Sequence, residues 1–508
     1  MFPRNVRPLL LLSASILCIG GAQRIHADEG APTAGELMAA GDRSARKGKL
    51  VEALDAWRRA YERTFAGFRE KVFLYPVEAA FLDHAGLRRK VLDEVQKELP
   101  DEKLLAQQRT MAAFGFVPGD FDLKSTLIDL YSSEIAGFYD PDTKKLYLIR
   151  ETKEKERSWL ERLLDSGSAE EAKVTLIHEM SHALMDQHHD LLSLQRSVEH
   201  DDDMALALGA LIEGEATLAM YVGMDGEAGK SILSASPRGM RALFAIVTPF
   251  LGFAGGPAFR KAPRILKESL IFPYLEGMVF CMTLTQPVGG WRPVDAAFSA
   301  PPISTEQVLH PEKYGRDEPQ ALSFPELAGA LGPDWKEEHA NVVGEFAIQI
   351  LLSSKLSRRR ADRAAAGWDG DYFRVLKRAG AGADPPRSSG SLLLAWATTW
   401  DDPEEAQEFR REMAAFQEAA RGEKPIEVDF DSSGEGLRAL RWESRGHSAA
   451  LLQRQTEVWW LDGVPKEKFH PVMSRCLELK KEPKKLQLRR AKPQVEFDER
   501  NRLRVGRL

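Results

Sequence analysis

The stretch Val174-Thr-Leu-Ile-His178-Glu179-Met180-Ser181-His182-Ala-Leu-Met185 decides how the rest of this 508-residue chain is read. Positions i and i+4 of an α-helix are separated by about 6 Å of rise and roughly 40° of rotation, so His178 and His182 can converge on one ion. Glu179 points to the same edge without being a ligand, where it can take a proton from a metal-bound water. His-Glu-x-x-His on a helix is the pattern of zinc-hydrolase chemistry. The flanking residues carry no charge, as expected of a helix buried in a domain core.

A third ligand has two sources. His188 stands six residues after His182, but that geometry needs a chain reversal at position 185, normally a Gly able to adopt positive φ, and Met185 stands there. His189 returns to the right face about 10 Å further along the axis. His188, His189 and Asp190 therefore read as a polar helix end. The second source is the run Met204-Ala-Leu-Ala-Leu-Gly-Ala-Leu-Ile-Glu213-Gly-Glu215-Ala-Thr-Leu-Ala-Met-Tyr221, an apolar helix whose only charges are Glu213 and Glu215. A carboxylate inside such a helix is costly unless paired or metal-bound. The two glutamates lie about 200° apart round the helix, so one faces the metal and the other supports it or meets solvent. Ala205, Ala207, Gly209, Ala210, Gly214 and Ala216 permit close approach of a neighbouring helix.

His178-Glu-x-x-His182 followed by Glu213 in a Glu-Gly-x-Ala segment resembles the gluzincin, thermolysin-like zinc metallopeptidases. The resemblance runs over residues 137–221. It implies a zincin-like fold, a Zn2+ cofactor, His178, His182 and Glu213 as ligands, Glu179 as general base, and a peptide or protein substrate. Upstream, Ile135 to Tyr139 and Lys145 to Ile149 flank Asp140-Pro141-Asp142-Thr143, a type I turn signature. This predicts a hairpin, either structural or lining the cleft and pairing with an extended substrate. Downstream, residues 301–314 are rich in hydrogen-bonding side chains. They offer His310 or Tyr314 as an oxyanion donor, or a helix start capped at Ser304.

The ends of the chain carry their own signals. Arg4 and Arg7, an apolar run from Leu9 to Ile19 and small residues up to Ala27 predict a secretory leader over residues 1–27, hence a secreted or periplasmic protein. Removing the leader, which holds three Arg and no acid, takes the formal charge from −6 to −9, and nothing in that balance favours nucleic acid. Cys281 and Cys476 would then remain, free or paired. The uncharged run from Ala242 to Phe259 is broken by Pro249 and several Gly, so no transmembrane span is expected. Residues 480–508 hold 11 Lys or Arg against 4 acids, a solvated tail suited to weak contact with an anionic envelope surface.

Together these features predict an α+β, mainly helical protein. Residues 34–108 begin with a helical hairpin turning at Gly48 and spaced like one tetratricopeptide repeat, a TPR-like cap on the rest. Residues 109–320 form the zincin-like catalytic domain, with a segment helical after Pro273. Residues 325–479 form a separate α+β domain, with a buried strand over 392–400, a helix begun by Pro403 and a β-meander over 437–461. The function expected is a secreted zinc metallopeptidase using metal-activated water. The alternatives are a catalytically idle zincin-like envelope scaffold and a metal hydrolase acting on an envelope polymer.

Overall fold

A computed structural model describes residues 32–150, 168–224, 232–233, 235–254, 256–286, 289–380, 390–430, 437–444, 446–488, and the backbone of 495–497 and 503–505. The expected leader lies outside the described residues. The protein is mixed α and β, dominated by helices.

The chain opens with the helical hairpin Ala34–Arg46 and Leu50–Phe68. Thr33 and Glu36 close a capping box at its start, and Gly48, at φ +71, makes the turn. Gly41 lets the Trp57 ring lie against the first helix, where its Nε1 donates to Asp42 at 2.9 Å. Leu54, Trp57, Tyr61 and Phe65 form the buried stripe.

Next comes a small sheet of β1 (Glu78–Asp83), β2 (Gly137–Asp140) and β3 (Lys145–Arg150), in the order β1-β3-β2. β2 and β3 are the expected hairpin, antiparallel with Gly137 opposite Leu148. The Asp140 carboxylate accepts from the N–H of Asp142 at 3.0 Å and holds the turn. The helix Asp101–Phe114 spans the boundary placed between 108 and 109 and bridges to the C-terminal region. Arg109 pairs with Glu338 at 2.6 Å, and Phe114 packs edge-on against Phe373 and Trp396.

The region expected to hold the metal site is built on the motif helix Ser168–His189, the expected ligand helix Asp202–Met224 and the long helix Arg264–Thr285. The last runs through Pro273, earlier than the start expected there. Apolar burial along both halves outweighs the single backbone hydrogen bond that proline removes. Among the described residues the ligand helix is the one long and apolar enough to cross a membrane, and 89% of its most apolar window is buried in protein.

β4 (Gln320–Ser323) leads into a seven-stranded antiparallel sheet. Its strands are β5 (Trp335–Asn341), β6 (Trp368–Arg378), β7 (Leu392–Trp400), β8 (Ile426–Asp429), β9 (Arg438–Glu443), β10 (His447–Arg454) and β11 (Glu457–Pro465), in the order β5-β6-β7-β11-β10-β9-β8. The helix Pro403–Arg421, capped by Asp402, covers one face. Phe469–Cys476 covers the other around a second apolar cluster. Cys281 and Cys476 are both buried and free.

The start of the basic tail departs from the solvated segment expected. β12 (Lys480–Pro483) pairs with β4, and Lys484 is buried, 5% exposed. Its ammonium meets Asp201 at 2.9 Å and Asp203 at 3.4 Å at the start of the ligand helix. An acidic pair, buried Asp203 and half-buried Asp201, supplies what a basic side chain needs to leave water. The short β13 (Val495–Phe497) and β14 (Leu503–Val505) pair beyond it.

Candidate metal centre

The motif helix packs against β2 and β3, and the approach is tight: a Cβ on Gly137 would lie 2.7 Å from Thr175 Cγ2. Tyr139 in β2 and Lys144 in the turn bond Asp186 on the motif helix at 2.8 and 2.7 Å. Asp186 also accepts from the N–H of Leu191 at 3.0 Å and closes the helix end. The sheet thus fixes the motif helix in rotation and height.

From that helix, the His178 and His182 rings project with centroids 4.6 Å apart, nearly perpendicular. Their Nε2 atoms stand 3.0 Å apart, and Glu213 Oε2 lies 3.1 Å from the first and 3.4 Å from the second. A tetrahedral zinc site with bonds of about 2.0–2.2 Å sets its donors about 3.3–3.6 Å apart. The three donors therefore have nearly the spacing zinc requires, and their types, two imidazoles and a carboxylate, are zinc ligands. Burial pushes His178 down to about 3 and His182 well below the ordinary histidine range. Both are held in the neutral form that ligates. Neither Nδ1 has a hydrogen-bond partner, so the rings are oriented by packing; Tyr274 stacks beside His178 at 6.0 Å.

Glu179 is fully buried, and neither of its oxygens has a closed hydrogen bond. Desolvation raises its pKa well above the usual carboxylate range, opposed by the Tyr139 backbone N–H in β2. A carboxylate with raised basicity beside a zinc-ligand set is equipped to accept a proton.

Glu215 faces away from this cluster, as the helical rotation requires. It accepts from Ser181 Oγ at 2.9 and 3.1 Å and from Arg69 Nε at 2.6 Å, so it is a buried partner of the motif helix and not a surface group. His188 bonds the Val72 carbonyl at 2.9 Å, and His189 stacks on Phe298 at 4.8 Å; neither joins the cluster. His310 does not join it either. The buried Glu345 carboxylate draws its Nε2 to 3.1 Å and raises its pKa. Tyr314 donates to the Ala300 carbonyl at 2.6 Å, and Ser304 caps the helix Thr305–Leu309. The nitrogen that His310 would offer to an oxyanion, Nε2, is the one engaged by Glu345.

The residues that sequence reasoning missed are Arg69, Tyr274 and Asp186. Only Asp186 had a local signal, one turn after His182. The site is enclosed: His178, Glu179 and His182 are 0% exposed and Glu213 1%. A groove of about 1000 Å³ lies elsewhere, along β1, bounded by Leu54, Arg58 and Arg150.

The family described as a domain of unknown function (DUF8575) matches residues 333–470, the stretch that holds β5 to β11. The His178, His182 and Glu213 cluster lies outside that match. Neither the curated proteins nor the solved structures give a match.

Proposed function

We propose that this chain is a zinc-dependent metallopeptidase of gluzincin type, secreted or periplasmic. The observation that carries the reading is the spacing of His178 Nε2, His182 Nε2 and Glu213 Oε2, all between 3.0 and 3.4 Å. These residues would hold Zn2+, which when bound supplies a Lewis acid and a water made acidic enough to ionise near neutral pH. Glu179 takes the proton of the attacking water and carries it to the leaving amine. Its burial favours the protonated form once it has accepted, which suits delivery. The Tyr139 N–H in β2 pulls the other way and keeps the carboxylate available as a base. β2 is an outer strand of its sheet, the kind of strand an extended peptide could pair with once the buried site opens.

The enclosure of the site favours a second reading, an idle zincin-like scaffold that binds partners through its helical cap and C-terminal sheet. Glu179 weighs against it, because a metal-only role gives no reason to bury a carboxylate without a closed hydrogen bond. Metal analysis of the purified mature chain, paired with digestion of a broad peptide library, tests the proposal. About one zinc per chain and cleavage that a chelator abolishes are expected. Zinc without cleavage selects the scaffold, and no zinc removes both.

A further inference from the structure

Arg69 follows directly on the N-terminal hairpin, yet its side chain is 0% exposed and reaches into the catalytic region. Its Nε donates to Glu215 and its Nη2 to Asp295, both at 2.6 Å, and Nη2 also meets Met185 Sδ at 3.3 Å. The guanidinium lies over the Trp291 ring at 4.3 Å, and Trp291 Nε1 donates to the Phe68 carbonyl at 2.7 Å. One planar cation thus ties the hairpin end to the motif helix, the ligand helix and the helix Arg292–Ala297.

The attachment points matter more than their number. Ser181, which donates to Glu215, is the residue before His182, and Glu215 is two residues after Glu213. The network grips both ligand-bearing helices at the level of the ligands. The two neighbouring glutamates divide their work: Glu213 faces the imidazoles, and Glu215 is matched to Arg69.

We propose that Arg69 is a positioning residue for the metal centre, which through Glu215 and Ser181 sets the distance between the two ligand helices and makes metal affinity depend on a docked N-terminal hairpin. This rests on the metal reading above but not on hydrolysis. A donor set is held to within about 0.5 Å by the groups behind it, and removing such groups typically weakens metal binding about 10- to 100-fold. Without the guanidinium, the Glu215 carboxylate has only Ser181, inside a closed helix interface. The helices must then move to admit water, and the three donors lose their spacing.

The test uses the full mature chain, zinc affinity by competition with a chromophoric chelator, the visible spectrum of the cobalt-substituted protein, and thermal denaturation of the metal-free forms. Arg69→Met is expected to weaken zinc binding about 10- to 100-fold and to alter the cobalt spectrum. Arg69→Lys should recover part of both, and Arg69→Met combined with Glu215→Gln should bind zinc more tightly than Arg69→Met alone, since no carboxylate is then stranded. Wild-type affinity and an unchanged spectrum in Arg69→Met would overturn the proposal. So would a loss of affinity that only follows metal-free stability, with an unchanged spectrum and no gain in the double variant. Should Arg69→Met fail to fold, Ser181→Ala removes one hydroxyl from the same network, and an unchanged affinity and spectrum there overturn the proposal equally. Failure of the parent chain to bind zinc would instead remove the metal reading and this proposal together.

Discussion

Gly214 and Gly277 bring two helices into backbone contact one residue from the third donor: a Cβ added to Gly214 would stand 2.1 Å from the Gly277 carbonyl carbon. The reverse addition, on Gly277, meets the Ala210 carbonyl oxygen at 2.1 Å. No side chain can yield there, because the obstacle is main chain.

Gly214→Ala is therefore expected to push the ligand helix off its neighbour, costing about 1–3 kcal/mol or more and lowering zinc content. Gly209→Ala, on the same helix with nothing within 4 Å, serves as control and should keep both. Thermal denaturation with metal analysis checks the pair; equal behaviour of the two variants would refute the contact.

Removing a donor differs from disturbing its support. Glu213→Ala should abolish stoichiometric zinc binding. Glu215→Gln should still fill with zinc at saturation, at reduced affinity, and His188→Ala should match the parent because its imidazole is engaged with Val72. Preferential zinc loss in His188→Ala would show the ligand set to be wrong.

Glu179→Gln keeps shape but removes basicity. Zinc should stay while hydrolysis falls by about two to four orders of magnitude. Equal turnover of any cleaved peptide by variant and parent would exclude the proton-transfer role.

Stability should also depend on pH through Asp369. Burial, with Asp401 and Asp317 nearby, pushes its carboxyl up to about 7. The folded chain then holds a proton that the unfolded chain has released, so this group lowers stability progressively as pH rises from about 4 to about 7. Asp369→Asn should raise the melting temperature at pH about 8, with the gain shrinking towards pH about 4. A gain that does not vary with pH would contradict the assignment.

Lys484→Met strands the buried Asp203 carboxylate. Breaking a buried ion pair from one side costs about 3–5 kcal/mol, whereas Lys485→Met, at an exposed neighbour, should stay within about 0.5 kcal/mol. Urea denaturation of both variants separates them.

What could be read from the sequence was local. The four-residue spacing of His178 and His182, the lone charges of an apolar helix, the Asp140 turn and the Ser304 cap each have their physical cause within a few residues. The rotation that separates Glu213 from Glu215 is fixed by helix geometry, so their division of roles was legible, though not that Glu215 would be buried. The misses involve partners far apart in the chain. Arg69 meets Glu215 across 146 residues, and Lys484 sits in a basic run that looks solvated until Asp201 and Asp203 are placed beside it. β5 escaped notice because Trp335-Lys-Glu-Glu-His-Ala-Asn341 is an edge strand with charges on its open face. His310 drew attention as a polar group near the motif, but only the fold shows Glu345 claiming it.

The pairing of Lys484 with Asp203 spans 281 residues and sets an order in time. All three candidate donors stand at or before residue 213, yet the start of the helix that carries Glu213 keeps an unbalanced pair of acids until Lys484 docks. A chain truncated before that lysine would hold all three donors without the charge that seats their helix.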